Sequence, residues 1–273
     1  MSMPLRLEAP AKLNLGLSVV GRRSDGHHEL DSMFVLLELA DRLLLLPGCS
    51  GLRVEGHGAV GLPLGAENLA WRGLVAGLDG EPDLACLTLE KRIPSAAGLG
   101  GGSSDAAAAW RLGRAWRGLP DLAAADELAE LATIGADVPF FAAGVAAARV
   151  TGIGERIEPL EPPDRTVVLV HPPFGLSTAA IFAELRPDEW GRLDNDLLAP
   201  ARRLRPEVDS VLERVERAGG EPRLSGSGPT VYSLVDDAER GEALASTLRA
   251  DGLHVTLTRT RIAPTSIETI EEE

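Results

Sequence analysis

The run Pro94-Ser95-Ala96-Ala97-Gly98-Leu99-Gly100-Gly101-Gly102-Ser103-Ser104-Asp105 is the segment best suited to chemistry. Backbone amides freed of side-chain bulk can wrap phosphate oxygens, and a helix starting there adds partial positive charge. The run follows an apolar stretch and enters Ala106 to Ala109, a good helix opening. Ser103 or Ser104 can cap that helix and offer a hydroxyl to a phosphate or its metal. A side chain at Gly101 would crowd such a ligand and disfavour a positive φ. No Gly-Lys-Ser/Thr follows, so this is not a Walker A loop, and Ser103 breaks the G-x-G-x-x-G pattern. A true G-x-G-x-x-G stands at Gly56 to Gly61, but Leu62-Pro63-Leu64-Gly65 cannot open the helix that a dinucleotide fingerprint needs. It reads as a turn-rich loop, which argues against a nicotinamide enzyme.

Other candidate groups lie far from this loop in sequence. Of 27 basic residues two are lysines, Lys12 and Lys91, leaving 25 arginines; the asparagines are Asn14, Asn68 and Asn195, and there is no glutamine. In Ala9-Pro10-Ala11-Lys12-Leu13-Asn14-Leu15, Lys12 and Asn14 share one strand face. Beside a phosphate loop, that lysine could stabilise transferring charge. Asp137, in Gly135-Ala136-Asp137-Val138-Pro139-Phe140-Phe141, is an acid among apolar residues. Burying it is costly unless it is paired, so it reads either as a base for a hydroxyl with a lysine partner or as a helix cap. Asp25-Gly26-His27-His28-Glu29 lacks the ligand spacing of a metal site, and its histidines could face a base or sugar. Leu224-Ser225-Gly226-Ser227-Gly228-Pro229-Thr230 is a second glycine turn between two strands.

The elements that must carry these groups follow from the pattern. Leu5 to Leu7, Leu13 to Val20, Met33 to Leu39, Leu43 to Leu46 and Leu52 to Glu55 read as antiparallel strands. A helix is expected from Asn68 to Leu78, a strand over Leu84 to Ile93, and helices over Ser104 to Arg117 and Leu122 to Thr133. Val145 to Thr151 and Glu155 to Leu160 form a hairpin around Gly152 and Gly154. Glu161-Pro162-Pro163-Asp164 is a break that sets a domain boundary, giving domains 1–160 and 161–273. Beyond it the order is strand Thr166 to Val170, helices Thr178 to Leu185 and Asp196 to Arg217, strands Pro222 to Leu224 and Thr230 to Val235, helix Ala238 to Ala250, strand Leu253 to Thr258. That is a split-βαβ pattern. Glu271 to Glu273 read as a solvated tail.

Composition bounds the partners. The 273 residues are 44% hydrophobic and 25% charged, ordinary globular usage, and the net charge is −14. Such a charge argues against nucleic acid, yet leaves room for a small anion held by a helix N-terminus. Cys49 and Cys86 make no disulfide framework and read as reduced thiols. No apolar run approaches the roughly 18 residues of a membrane span, and the start has no signal-peptide core, so a cytoplasmic protein without membrane contact is expected.

Taken together, Ala-Lys-Leu-Asn at the start, Pro-x-x-x-Gly-Leu-Gly-Gly-Gly-Ser-Ser and Ser-Gly-Ser-Gly-Pro resemble the GHMP kinases in order and spacing over nearly the whole chain. Ser24 to Leu30, Gly135 to Phe141 and Leu193-Asp194-Asn195-Asp196-Leu197 are similar to the branch acting on 4-diphosphocytidyl-2-C-methyl-D-erythritol in non-mevalonate isoprenoid synthesis. The resemblance implies an α+β, two-lobed fold: an N-terminal lobe like ribosomal S5 domain 2 and a C-terminal split-βαβ, ferredoxin-like lobe. It implies ATP with Mg²⁺ and a cytidyl diphosphate acceptor. It makes Asp137 the acid/base and Lys12 its partner, puts Pro94 to Ser104 on the triphosphate and Asn68 and Lys91 on adenine. Asn14, His27, His28 and Phe182 fall to the acceptor, with His27 where the family usually stacks a tyrosine on cytosine. Direct protein ligands of the metal are not evident from the resemblance. The alternatives are another small-molecule kinase of this superfamily, or a nonenzymatic binding module, since the N-terminal lobe is shared with nucleic-acid-binding domains.

Overall fold

The computed structural model describes residues 3–192 and 194–270. The Glu271 to Glu273 tail, and Leu193 of the Leu-Asp-Asn-Asp-Leu motif, lie outside the described residues.

The alternation that begins at Leu5 runs on further than its polar interruptions suggest. Five expected strands are three: β1 (Leu5–Arg22), β2 (His28–Pro47) and β3 (Gly51–Glu55). β1 and β2 pair as one antiparallel hairpin from Leu5↔Leu45 to Arg22↔His28. Register shifts at Pro10/Lys12, Asn14/Gly16 and Val19/Gly21 absorb the residues that look like gaps. α1 (Leu69–Leu78) then crosses to β4 (Ala85–Glu90), which is antiparallel to β2 but parallel to β3. The all-antiparallel expectation fails there because a helical crossover returns the chain in the same direction.

α2 (Gly101–Trp116) packs closely on α1, and a Cβ on Gly73 or Gly77 would overlap the α2 backbone. The expected helix over Leu122 to Thr133 shrinks to α3 (Leu128–Leu131), followed by α4 (Val138–Ala142). Ala123 N donates to Ala142 O and Ala124 N to Glu127, so those amides leave the helical ladder. β5 (Ala147–Gly152) and β6 (Arg156–Pro159) make the hairpin expected there, with β5 also paired to β2.

Residues 160–165 carry no helix or strand. Beyond them come β7 (Thr166–His171), α5 (Thr178–Glu184), α6 (Leu198–Leu204), α7 (Glu207–Arg217), β8 (Arg223–Leu224), β9 (Val231–Val235), α8 (Ala238–Ala250) and β10 (His254–Arg259). The one helix expected over Asp196 to Arg217 is two, because Pro206 has no amide to continue the ladder. The sheet order β10-β7-β9-β8 is that of a split-βαβ lobe. β11 (Glu268–Thr269) then returns to pair with β1, so the last strand joins the first sheet. Ala11, Leu13, Val35 and Leu37 share a core with Val167, Leu169 and Tyr232, which fuses the two lobes.

Cys49 and Cys86 are not the free thiols expected: they are bonded, with sulfurs 2.05 Å and Cα atoms 5.2 Å apart. Leu46 of β2 sits opposite Cys86, and Gly48 N bonds Leu84 O, which turns Cys49 back over β4. Sequence spacing alone could not show that register. Among the described residues no helix is long and apolar enough to cross a membrane.

Candidate active site

Lys12 and Asn14 do face one way from β1. Lys12 Nζ donates to Asn14 Oδ1 at 2.6 Å, Asn14 Nδ2 to Ser32 Oγ at 2.9 Å, and Ser32 Oγ to Gly16 O at 2.5 Å. The ammonium also lies 4.5 Å from the centre of the Phe34 ring. Its charge partner is Asp137 Oδ2 at 3.3 Å. Asp137 stands at the start of α4 but its side chain does not cap that helix. The carboxylate is partly open, at 28% side-chain exposure against 5% for Lys12, so it can be reached by a ligand. Two residues 125 apart in sequence thus form one buried-cation, accessible-anion pair.

The glycine loop packs against Lys12. Lys12 N donates to Leu99 O at 2.9 Å, tying β1 to the loop. A Cβ on Gly100 would press on the Lys12 side chain at 3.0 Å. Gly98 and Gly100 have φ of 75° and 70°, and Ala96, with a side chain, is held at 53°. A non-glycine residue in that region is strained, and such strain persists only where surroundings fix it. Gly100 is the residue before α2, and no side chain caps the helix. The expected Ser103 or Ser104 cap is therefore absent, because the helix starts at Gly101 and both serines lie in its first turns. The first amides are left for a ligand. Gly101 itself is helical, and a Cβ there would meet Ile93 at 3.1 Å and Lys91 Nζ at 3.4 Å, not the open side of the loop.

The second glycine turn closes against the first. Ser225 Oγ donates to Gly98 O at 2.9 Å, and a Cβ on Gly226 would lie 3.0 Å from Asn14 Oδ1. Asn195 fixes the turn by donating to Leu224 O and Gly226 O at 2.9 and 2.8 Å. Tyr232 donates to Asn14 O at 2.8 Å, and burial pushes its phenol up to about 12. The second lobe therefore braces the residues that carry Lys12.

Asn68 and Lys91, which the resemblance puts on adenine, are both tied into the protein. Asn68 Oδ1 accepts Ala70 N at 2.9 Å as the cap of α1, while Nδ2 donates to Pro63 O at 2.8 Å. The Lys91 ammonium is buried between Asp41 and Asp105. Both side chains are engaged with protein, which leaves little of either for a base. Gly56 and Gly58 approach the backbone of Lys91 and Ile93 closely, and no α-helix follows Gly61 until Leu69, in keeping with a turn-rich loop and not a dinucleotide fingerprint.

At the far end of the β1–β2 hairpin, His28 stacks on Phe182 with ring centres 5.4 Å apart and planes at 25°. Trp190 meets the same imidazole edge-on at 5.9 Å, and its buried indole N–H has no partner among the described residues. Burial, helped by Arg22, lowers the His28 pKa below its ordinary value. His27 is not brought into this cluster: its ring is 66% exposed and faces Asp25 Oδ1 at 3.3 Å. Trp190 escaped the sequence reading; aromatic scarcity, 4% of residues, was the signal that could have found it. Asp41 and Asp105 escaped it too; Asp41 stands beside Arg42 between two apolar stretches and looks like a surface pair in sequence.

A buried lysine beside an accessible carboxylate, with an uncapped glycine loop packed on the lysine, can hold an anion next to a group able to take a proton. The profile for the GHMP kinases N terminal domain matches residues 68–145 and that for the GHMP kinases C terminal region matches 179–253; the chain belongs to this family. Like its members it is an ATP-dependent kinase, with the two-lobed α+β fold that the motifs imply. It is 40% identical over 265 residues to the 4-diphosphocytidyl-2-C-methyl-D-erythritol kinase of Thermus thermophilus, covering 89% of this chain and 92% of that one. The enzyme of the same name from Dinoroseobacter shibae is 40% identical over 284 residues, covering 90% and 91%. A crystal structure of 4-(cytidine 5'-diphospho)-2C-methyl-D-erythritol kinase superposes with a TM-score of 0.76 at 36% identity, over 93% of this chain and 98% of that one. Homoserine kinase from Cytophaga hutchinsonii shares the fold, with a TM-score of 0.68 at 16% identity over 98% of each chain.

Proposed function

We propose that this chain transfers the γ-phosphoryl group of ATP to the 2-hydroxyl of 4-diphosphocytidyl-2-C-methyl-D-erythritol, a cytoplasmic step of non-mevalonate isoprenoid synthesis. The Lys12–Asp137 pair, 3.3 Å apart beside the glycine loop, carries the reading. Asp137 orients the acceptor hydroxyl and receives its proton; a loose transition state asks little more of a base. Lys12, fixed by Asn14 and Phe34, holds positive charge where the phosphoryl group passes. The bare amides at the start of α2 and the loop backbone from Pro94 to Ser104 hold the triphosphate. Mg²⁺ bound with ATP would neutralise charge on the phosphate oxygens. No three His, Cys, Asp or Glu side chains converge as a metal site among the described residues, and in this reading the phosphates supply most of its ligands. His28 and Phe182 receive the cytosine, Phe182 as a stacking face and His28 as a neutral imidazole. Since those rings touch each other, the base lies against the pair or parts it. In this reading residues 1–160 form the ATP-binding lobe and 161–273 the second lobe, apart from the strand that returns.

ATP consumption with this acceptor, measured against homoserine and mevalonate as competing acceptors, tests the assignment. Turnover with either of those and none with the cytidyl compound would replace the acceptor. No turnover with any of the three would remove the kinase reading.

A further inference from the structure

A trio of buried charges lies beneath the glycine loop. Lys91 Nζ donates to Asp41 and, at 2.7 Å, to Asp105 Oδ2. None of the three is more than 4% exposed. They bracket the loop: Asp41 comes from β2, Lys91 from the turn that precedes the loop, and Asp105 from α2, which follows it. A Cβ on Gly101 would lie 3.4 Å from Lys91 Nζ, so the ammonium reaches the base of the helix whose amides open the cradle.

The two carboxylates are not equivalent. Asp41 Oδ1 accepts Arg92 N at 2.5 Å and Ile93 N at 2.8 Å, while its other oxygen takes the lysine. Asp105 accepts from Lys91, and its Oδ1 is buried without a partner among the described residues. One cation cannot neutralise two buried anions, and the less satisfied of the two bears the desolvation cost. Burial, with the charge of Asp41 added, pushes the Asp105 carboxyl well above its ordinary value against the pull of Lys91. For Lys91 burial works against the ammonium, and Asp105 and Asp41 outweigh it.

We propose that Asp41, Lys91 and Asp105 form a positioning clamp for the triphosphate cradle, with Asp41 bonded to the loop's entry and Asp105, one oxygen on Lys91 and the other without a partner among the described residues, as the hydrogen-bonding group at its exit. The inference rests on the glycine loop holding ATP. Two anions under that loop would oppose a triphosphate, whereas one anion and one cation leave a neutral floor. The clamp fixes the loop's entry and exit together, which holds its strained backbone in one geometry.

Calorimetry of ATP binding to the acceptor-free protein tests the clamp, with acceptor KM as control and the thermal midpoint as the check of folding. Asp105→Leu is expected to weaken ATP about 10-fold, equivalent to about 1.4 kcal/mol. Asp105→Asn recovers most of that loss, since a carboxamide copies a neutral acid. Asp41→Asn weakens ATP about 10-fold or more, because its amide N–H₂ then faces the Lys91 ammonium. Acceptor KM stays within about 2-fold throughout, as expected when one ligand's site alone is disturbed. Failure of the wild type to bind ATP would overturn both the clamp and the kinase reading. Unchanged ATP affinity in folded Asp105→Leu, equal losses in Asp105→Leu and Asp105→Asn, or parallel losses of ATP and acceptor would overturn the clamp alone. Should Asp41→Asn not fold, the two Asp105 variants still decide.

Discussion

The two ends of the candidate site are built on opposite principles. At the phosphate end, Lys12 is 5% exposed and each polar group hands on to another, from Lys12 to Asn14 to Ser32 to the backbone. At the aromatic end, His28, Phe182 and Trp190 are only partly buried and hold one another by ring contact. Chemistry punishes a displacement of about 1 Å, so its groups are locked before any ligand arrives. Stacking is forgiving of direction, so a face that shifts can still receive a base. On the proposed reading, rigidity lies where bonds would change and adaptability where a base would be recognised.

The sharpest way to break that contrast is to remove the acid while keeping its shape. Asp137→Asn should lower kcat about 10²-fold or more, the usual loss on removing a positioned acid/base, with ATP affinity by calorimetry nearly unchanged. Near-normal turnover would take Asp137 out of the chemistry. Gly100→Val comes next. Its φ of 70° and the 3.0 Å approach to Lys12 leave no room for a β-branched side chain. ATP affinity should fall about 10-fold or more, from strain alone of order 1–3 kcal/mol. The same change at Gly101, whose backbone is helical, should act through Ile93 and Lys91. Equal effects of both ligands' affinities at Gly100 would make the loop a hinge and not a cradle.

Sequence legibility followed the same divide. The loop, Lys12 and Asp137 stood out because their signals are local: clustered glycine, two lysines among 27 basic residues, one acid among apolar neighbours. The hairpin at Gly152 and the second lobe's strand order were legible for that reason too. What depended on distant register was not. Lys91 looks free in sequence, and its partner Asp41 lies 50 residues earlier. The serines look like caps until the helix is seen to begin at Gly101. Cys49 and Cys86 meet only because β2 and β4 pair, and β3 runs parallel only because α1 intervenes.

At the aromatic end the effects should be smaller and confined to binding. Phe182→Ala should raise acceptor KM about 10-fold with kcat little changed, the mark of lost uniform binding. A fall in kcat as large as in KM would mean the aromatic end is as rigidly coupled to chemistry as the phosphate end. His28 adds a pH signature. Its folded pKa lies below the ordinary value, so the fold favours the neutral ring. That contribution is complete above the ordinary imidazole value of about 6.5 and is lost as pH falls from there through the folded value. Binding is read on the folded protein, so acceptor KM should be flat down to about pH 6.5 and rise a few-fold only as pH falls further, through the lowered folded value. The rise should be absent in His28→Asn.

The smallest effect is expected at His27, where the family usually stacks a tyrosine. Its imidazole is 66% exposed and turned to Asp25, whose Oδ1 also accepts His27 N at 3.1 Å. The turn thus fastens the backbone through Asp25 and leaves the ring outside the cluster of His28, Phe182 and Trp190. His27→Ala should change acceptor KM by less than about 2-fold, since an exposed ring buries little area to lose. Asp25→Ala, which frees the turn beside His28, should cost more than His27→Ala itself. If His27→Ala instead matches Phe182→Ala, the ring must swing onto the cytosine when acceptor binds. The aromatic end would then be assembled by its ligand, and the contrast with the pre-locked phosphate end would be wider than the free structure displays.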